Sequence, residues 1–146
     1  MFRWHLLLLT VITVALLCGA CAQSEPAAGS GLEDTTWVLE SYGDKGNLKT
    51  VLEGTEITAI FDESEGRVHG SSGCNSYGGE YRVDRNNLAI PGVSFTEMAC
   101  LAPEGIMEQE EQYLRVLPVV ETYEIKNGKL QITAGNQLLI FREKEE

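Results

Sequence analysis

The sequence predicts an α+β domain that is mainly β: a small, curved, antiparallel β-barrel-like sheet of about eight strands with one packed α-helix. Three observations predict it. Short alternating or apolar segments recur with turn residues between them. Asn127-Gly128 separates two such segments by two residues, the spacing of a tight hairpin. One stretch, residues 103–117, changes to helical spacing and is bounded by prolines. An open α+β sheet is the alternative arrangement.

Trp37 to Tyr42 reads as the first strand. Residues 43–54 are polar, begin and end in glycine, and read as a long loop. Glu56 to Phe61 alternates, which puts Ile57, Ala59 and Phe61 on one face. Asp62 to Gly66 is a turn, and Arg67 to Gly70 returns from it. Gly79 to Val83 and Leu88 to Ile90 form a hairpin about residues 84–87. The helix carries Ile106, Met107, Tyr113, Leu114 and Leu117 on one face, with Pro103 in its first turn and Pro118 stopping it. Its other face is Glu104, Glu108, Gln109, Glu111, Gln112 and Arg115. Glu110 falls on the apolar side, so its carboxylate must stay at the rim of the stripe or find donors, either backbone N–H groups or a tyrosine hydroxyl. Thr122 to Lys126 and Lys129 to Thr133 flank the Asn-Gly turn, and residues 134–136 make the next one. Gln137 to Arg142 is the last strand, and its run Leu138-Leu139-Ile140-Phe141 predicts cover on both faces. The aromatic residues are scattered and read as core or rim.

Ahead of this domain, residues 1–20 read as a signal peptide. Arg3 and His5 precede an uncharged apolar run from Leu6 to Leu17, too short to cross a bilayer comfortably. Gly19-Ala20-Cys21 then offers small residues before a cysteine. Cleavage before Cys21 with lipidation of its thiol is the reading favoured here. Cleavage after Ala22 is the alternative, and Cys18 fits the lipoprotein pattern poorly. Residues 21–31 become a lipidated cysteine and a flexible linker, and residues 32–143 the folded domain.

The chain holds 11 Lys+Arg against 22 Asp+Glu, a net charge of −11. Nucleic acid is a poor partner for that surface, and anionic headgroups would repel it. Membrane contact is therefore expected through the lipid anchor. Export predicts that Cys74 and Cys100, 26 residues apart, form a disulfide. Redox chemistry would call for Cys-x-x-Cys, a spacing that Cys74 and Cys100 do not have. His69 lies near Cys74, but zinc wants four ligands, and the other histidine, His5, sits in the signal. No metal or cofactor is expected. Gly70, Gly73, Gly78 and Gly79 lack the lysine and following helix of a phosphate loop, so they read as backbone devices: positive φ or close approach. Asn75 is expected to hydrogen-bond a nearby turn.

These residues carry a likeness. Trp37-x-Leu39, Ile57-x-Ala-x-Phe61, Gly70-x-x-Gly73-Cys74-Asn75-x-Tyr77-x-Gly79-x-Tyr81, Thr96-x-Met98-Ala99-Cys100 and Met107-x-x-Glu110-x-x-Tyr113-Leu114-x-x-Leu117 occur in order. The chain resembles the META domain family, also described as heat-shock HslJ-like proteins, over nearly its whole mature length. The resemblance implies a small β-barrel-like α+β fold and an envelope setting. Stress response is an association of that family, which brings no agreed catalytic set.

The expected function is that of a non-enzymatic lipoprotein of the bacterial cell envelope, its domain facing the periplasm and binding an unknown protein or small molecule. Residues 70–79 and 43–54 are the candidate surfaces. An inhibitor or structural partner of another envelope protein is the alternative, and a hydrolytic or redox enzyme a third. No catalytic residue is assigned; Glu110 and Asn75 are candidates for a structural polar site. A ligand binder would hold a cavity of ~300 Å³ or more inside the barrel.

Overall fold

The computed structural model describes residues 31–145. The expected signal segment, Cys18, the expected lipidation site Cys21 and the expected linker lie outside the described residues, apart from Gly31. Among the described residues, no helix is long and apolar enough to cross a membrane.

The chain forms β1 (Thr36–Asp44), β2 (Asn47–Thr50), β3 (Thr58–Asp62), β4 (Arg67–Ser71), β5 (Ser76–Glu80), β6 (Arg82–Asp84), β7 (Asn87–Ala89) and β8 (Val93–Phe95). The helix α1 (Ile106–Val116) follows, with a short 3₁₀ turn at Leu117–Val119. β9 (Thr122–Lys126), β10 (Lys129–Ala134) and β11 (Gln137–Glu143) complete it. Every pairing of these strands is antiparallel, in the order β6-β7-β9-β10-β11-β1-β3-β4-β5-β8, with β2 added beside β1. The first and last strands are therefore neighbours at the middle of the sheet, Trp37 opposite Glu143.

The sheet curls into a half-barrel. Tyr113 of α1 shows how far. Its ring meets Tyr77 of β5 at 5.6 Å and Phe141 of β11 at 6.4 Å, both edge-on. Those strands are four steps apart in the sheet. Flat, they would be separated by about 19 Å. The concave face closes round the helix, and the core fills it: Phe61, Ile57, Leu130, Leu139 and Phe141 are all buried.

Among the described residues the strand count is eleven rather than about eight, for three reasons. Part of the expected 43–54 loop is strand. β1 runs on to Asp44, Gly46 turns at φ 90°, and β2 folds back on β1. All four residues of β2 are exposed, so no alternation announces it. The expected 79–83 strand is two strands. The chain steps off β4 at Tyr81, whose N–H donates to the Gly66 carbonyl and whose ring packs on Phe61 at 5.1 Å. β8 is new, three residues long and largely exposed.

The helix is shorter at its start than the sequence suggests. Pro103 lies ahead of it, after a cis peptide, and Gly105 at φ 88° is the cap. Pro118 falls inside the 3₁₀ turn and the chain becomes extended at Val120, so the stop comes two residues later. The C-terminal hairpin is as expected: Asn127 and Gly128 both have positive φ, and Lys126 faces Lys129. The last strand is buried on one face only. Leu139 and Phe141 point to the core, while Leu138 and Ile140 are half-buried on the convex side.

Candidate functional site

The β4–β5 turn, the 96–100 segment and α1 converge on one buried cluster. α1 turns Ile106, Gln109, Glu110, Tyr113 and Val116 inward, one seam at helical spacing. Glu110 is 3% exposed. Its Oε1 accepts the Asn75 backbone N–H at 2.9 Å, and its Oε2 the Asn75 side-chain amide at 2.8 Å. The Ser72 hydroxyl sits against the same carboxylate. The backbone donor was expected. The tyrosine was not supplied: the Tyr113 hydroxyl instead meets Tyr77 at 2.7 Å. Tyr77 donates its one proton to the Thr58 carbonyl at 3.0 Å, so Tyr113 is the donor between them.

Asn75 does more than hold a local turn. Its Oδ1 accepts from the Thr96 hydroxyl and the Met98 N–H, each at 2.7 Å. Its amide also donates to the Met98 carbonyl at 3.1 Å. One buried amide thus joins the β4–β5 turn to the helix and to a segment more than twenty residues later. The Cys74–Cys100 disulfide closes beside it, with Cα atoms 5.9 Å apart. Cys100 N–H further points at the Met107 sulfur at 3.4 Å. His69 is exposed on β4 opposite Gly78. Among the described residues, no three His, Cys, Asp or Glu side chains gather as a metal site.

Above this cluster lies a groove of about 560 Å³. Phe95, Met98 and Ala99 form one wall, Met107 and Leu114 of α1 the other, and Asn75 with Glu110 the floor. Phe95, Met98 and Met107 are 49%, 57% and 38% exposed. The expected apolar face of α1 therefore divides. Ile106 and Tyr113 go into the core, while Met107 turns to the groove. The groove lies outside the half-barrel, whose interior is packed, and not inside as a ligand binder was expected to arrange it. Of the two candidate surfaces, 70–79 contributes Asn75 alone. Residues 43–54 border a smaller cleft of about 350 Å³ with Gln112 and Val116.

The glycines divide by cause. A Cβ on Gly70 would lie 2.2 Å from the Thr58 carbonyl oxygen, and one on Gly79 2.3 Å from that of Gly92. Gly73 has φ 112°. Together they let the β4–β5 turn approach its neighbours closely enough to deliver Asn75.

The META domain family model matches residues 30–146. The chain belongs to the META domain family. Solved structures agree with the fold. A protein from Burkholderia xenovorans, determined by NMR, is 28% identical, with TM-score 0.65 over 84% of this chain and 90% of that one. A second NMR structure is 24% identical, with TM-score 0.60 over 77% and 91%. A DUF4847 family protein from Bacteroides vulgatus is 13% identical, with TM-score 0.56 over 79% and 96%, and shares the fold alone. No curated protein matches the chain.

In this META domain, Gln109 is the buried residue that sequence reasoning placed wrongly. It is 2% exposed. Its Oε1 accepts the Leu52 N–H at 2.7 Å and its amide donates to Thr55 at 3.0 Å, tying α1 to the 51–55 segment. Its spacing, three after Ile106 and four before Tyr113, is the signal that could have found it; its polarity hid it. Burial raises the Tyr77 and Tyr113 phenols above their ordinary value, and pushes Tyr81 up to about 12, with nearby carboxylates adding to the effect. None of these hydroxyls is poised to ionise near neutral pH. The META cluster is arranged to hold backbone in place beneath an apolar groove.

Proposed function

We propose that the protein is a non-enzymatic, lipid-anchored binding module of the bacterial cell envelope, and that the groove between β8 and α1 docks an apolar group of its partner. The single observation behind this reading is the contiguous display of Phe95, Met98 and Met107 around one concavity. Scattered exposed apolar residues are ordinary; a gathered set around a concave surface is an interaction surface. The methionines add to it. The chain has three, Met1, Met98 and Met107, and both internal ones line the groove. Their unbranched thioethers re-pack against differing apolar shapes. The anchor rests on Gly19-Ala20-Cys21 and the apolar run before it.

A photo-crosslinking residue at the exposed Ala99, used in intact cells, tests the groove. We expect a discrete adduct that disappears in the Phe95→Asp background and is absent when the crosslinker sits at Asn127. Identical patterns from both positions would overturn the docking site. Mass analysis of the mature N-terminus checks the anchor, which requires acyl mass on Cys21 that Cys21→Ala lacks.

A further inference from the structure

Resting on the groove as a docking surface, we propose that its occupant is a cationic, amphipathic segment of a partner polypeptide. The apolar walls call for an apolar stripe, and the rim specifies the charge beside it. Glu97 stands on the β8 side and Glu111 across from it on α1. Past Met107 the surface continues into a second cleft of about 450 Å³, where Leu101 is 95% exposed beside Glu104 and Glu108. Residues 86–114 contain five glutamates and no lysine or arginine. Among the described residues one cation reaches the groove, Arg115, and it is ion-paired with Glu111 one helical turn away. Carboxylates beside apolar walls act through a poorly screened medium, so their field concentrates in the cleft.

The same charges disfavour the other occupants. A second copy would set glutamate against glutamate. An anionic lipid surface meets the same repulsion. The chain's own residues 22–30 carry Glu25, no lysine or arginine, and no large apolar side chain. A segment with Lys or Arg flanking Leu, Phe or similar residues satisfies walls and rim together. Two flexible methionines in the walls select a pattern rather than one sequence.

The test uses the full-length expression product, held in zwitterionic nanodiscs where it carries lipid, with ¹³C-methyl methionine. Four synthetic peptides are titrated: Leu/Lys sequences patterned at the helical and at the strand period, and a Leu/Glu twin of each. We expect at least one Lys peptide to move the Met98 and Met107 methyl signals, more weakly as salt rises, and its Glu twin to leave them still. The doubly swapped Glu97→Lys, Glu108→Lys protein, changed at two exposed sites, should bind that peptide about tenfold more weakly. Equal binding of Lys and Glu peptides, or an affinity unmoved by the swap, would overturn the cationic partner while leaving the docking groove intact. Methyl signals that no peptide moves would overturn both. Methyl shifts that grow with protein concentration alone would replace the partner segment by a second copy.

Discussion

Glu110 and Asn75 form a clasp whose strength comes from complete mutual satisfaction. A carboxylate that is 3% exposed accepts both the backbone N–H and the side-chain amide of Asn75, with the single Ser72 hydroxyl proton placed between it and the Asn75 carbonyl, and the amide uses both of its hydrogens and its oxygen. Removing the acceptor strands those donors away from water, which costs more than the bonds were worth. Glu110→Ala is expected to lose about 3 kcal/mol, seen as a fall in Tm of roughly 10 °C or more. A Tm within a degree of wild type would show that the clasp carries no weight. The tyrosines make a pH prediction. Burial favours the neutral phenol, so the folded values of Tyr77, Tyr81 and Tyr113 stand above the free value of 10.0. A raised folded value means that the folded state holds protons the unfolded chain gives up. Stability from these groups is thus complete below pH 10 and declines as pH climbs from there toward 12 and beyond. Denaturant melts across that window should show a falling midpoint, with tyrosinate absorbance rising together with unfolding.

At the scale of elements, the two adjacent glycines of β5 give a clean contrast. Gly79→Ala drives a methyl into the Gly92 carbonyl, whereas on Gly78 the nearest atom is the end of the Arg67 side chain at 3.4 Å. We expect Gly79→Ala to cost about 3 kcal/mol and Gly78→Ala less than about 1 kcal/mol, both read by denaturant titration. The sequence alone could tell that these glycines shape backbone; it could not tell which, because the partner carbonyl belongs to Gly92, just ahead of β8, which only folding brings near. The same limit runs through the other elements. The Asn127-Gly128 hairpin and the alternation of Ile57, Ala59 and Phe61 were legible because their cause is local. β2 was not, since four exposed residues carry no periodic signal, and its pairing depends on β1 being there. At the site, the disulfide and a buried Glu110 were legible. The groove was not, because Met107 looks like core until the 95–99 segment leaves it uncovered.

At the scale of the whole molecule, the disulfide anchors the groove's outer wall to the sheet. It closes a separation of 26 residues. Removing that constraint with Cys74→Ala and Cys100→Ala should cost about 3.5 kcal/mol in the chain-entropy model. Hydrogen exchange should locate the effect: faster at the amides of Thr96 to Leu101, and little changed along β9 to β11. Uniform acceleration would mean that the bond staples the entire sheet instead. The neighbouring placement of β1 and β11 has an effect on how the polypeptide comes to be. β1 leaves the ribosome well before β11, its central companion, has been made. Half of its backbone ladder must wait, in water or in the keeping of a chaperone, until β11 follows.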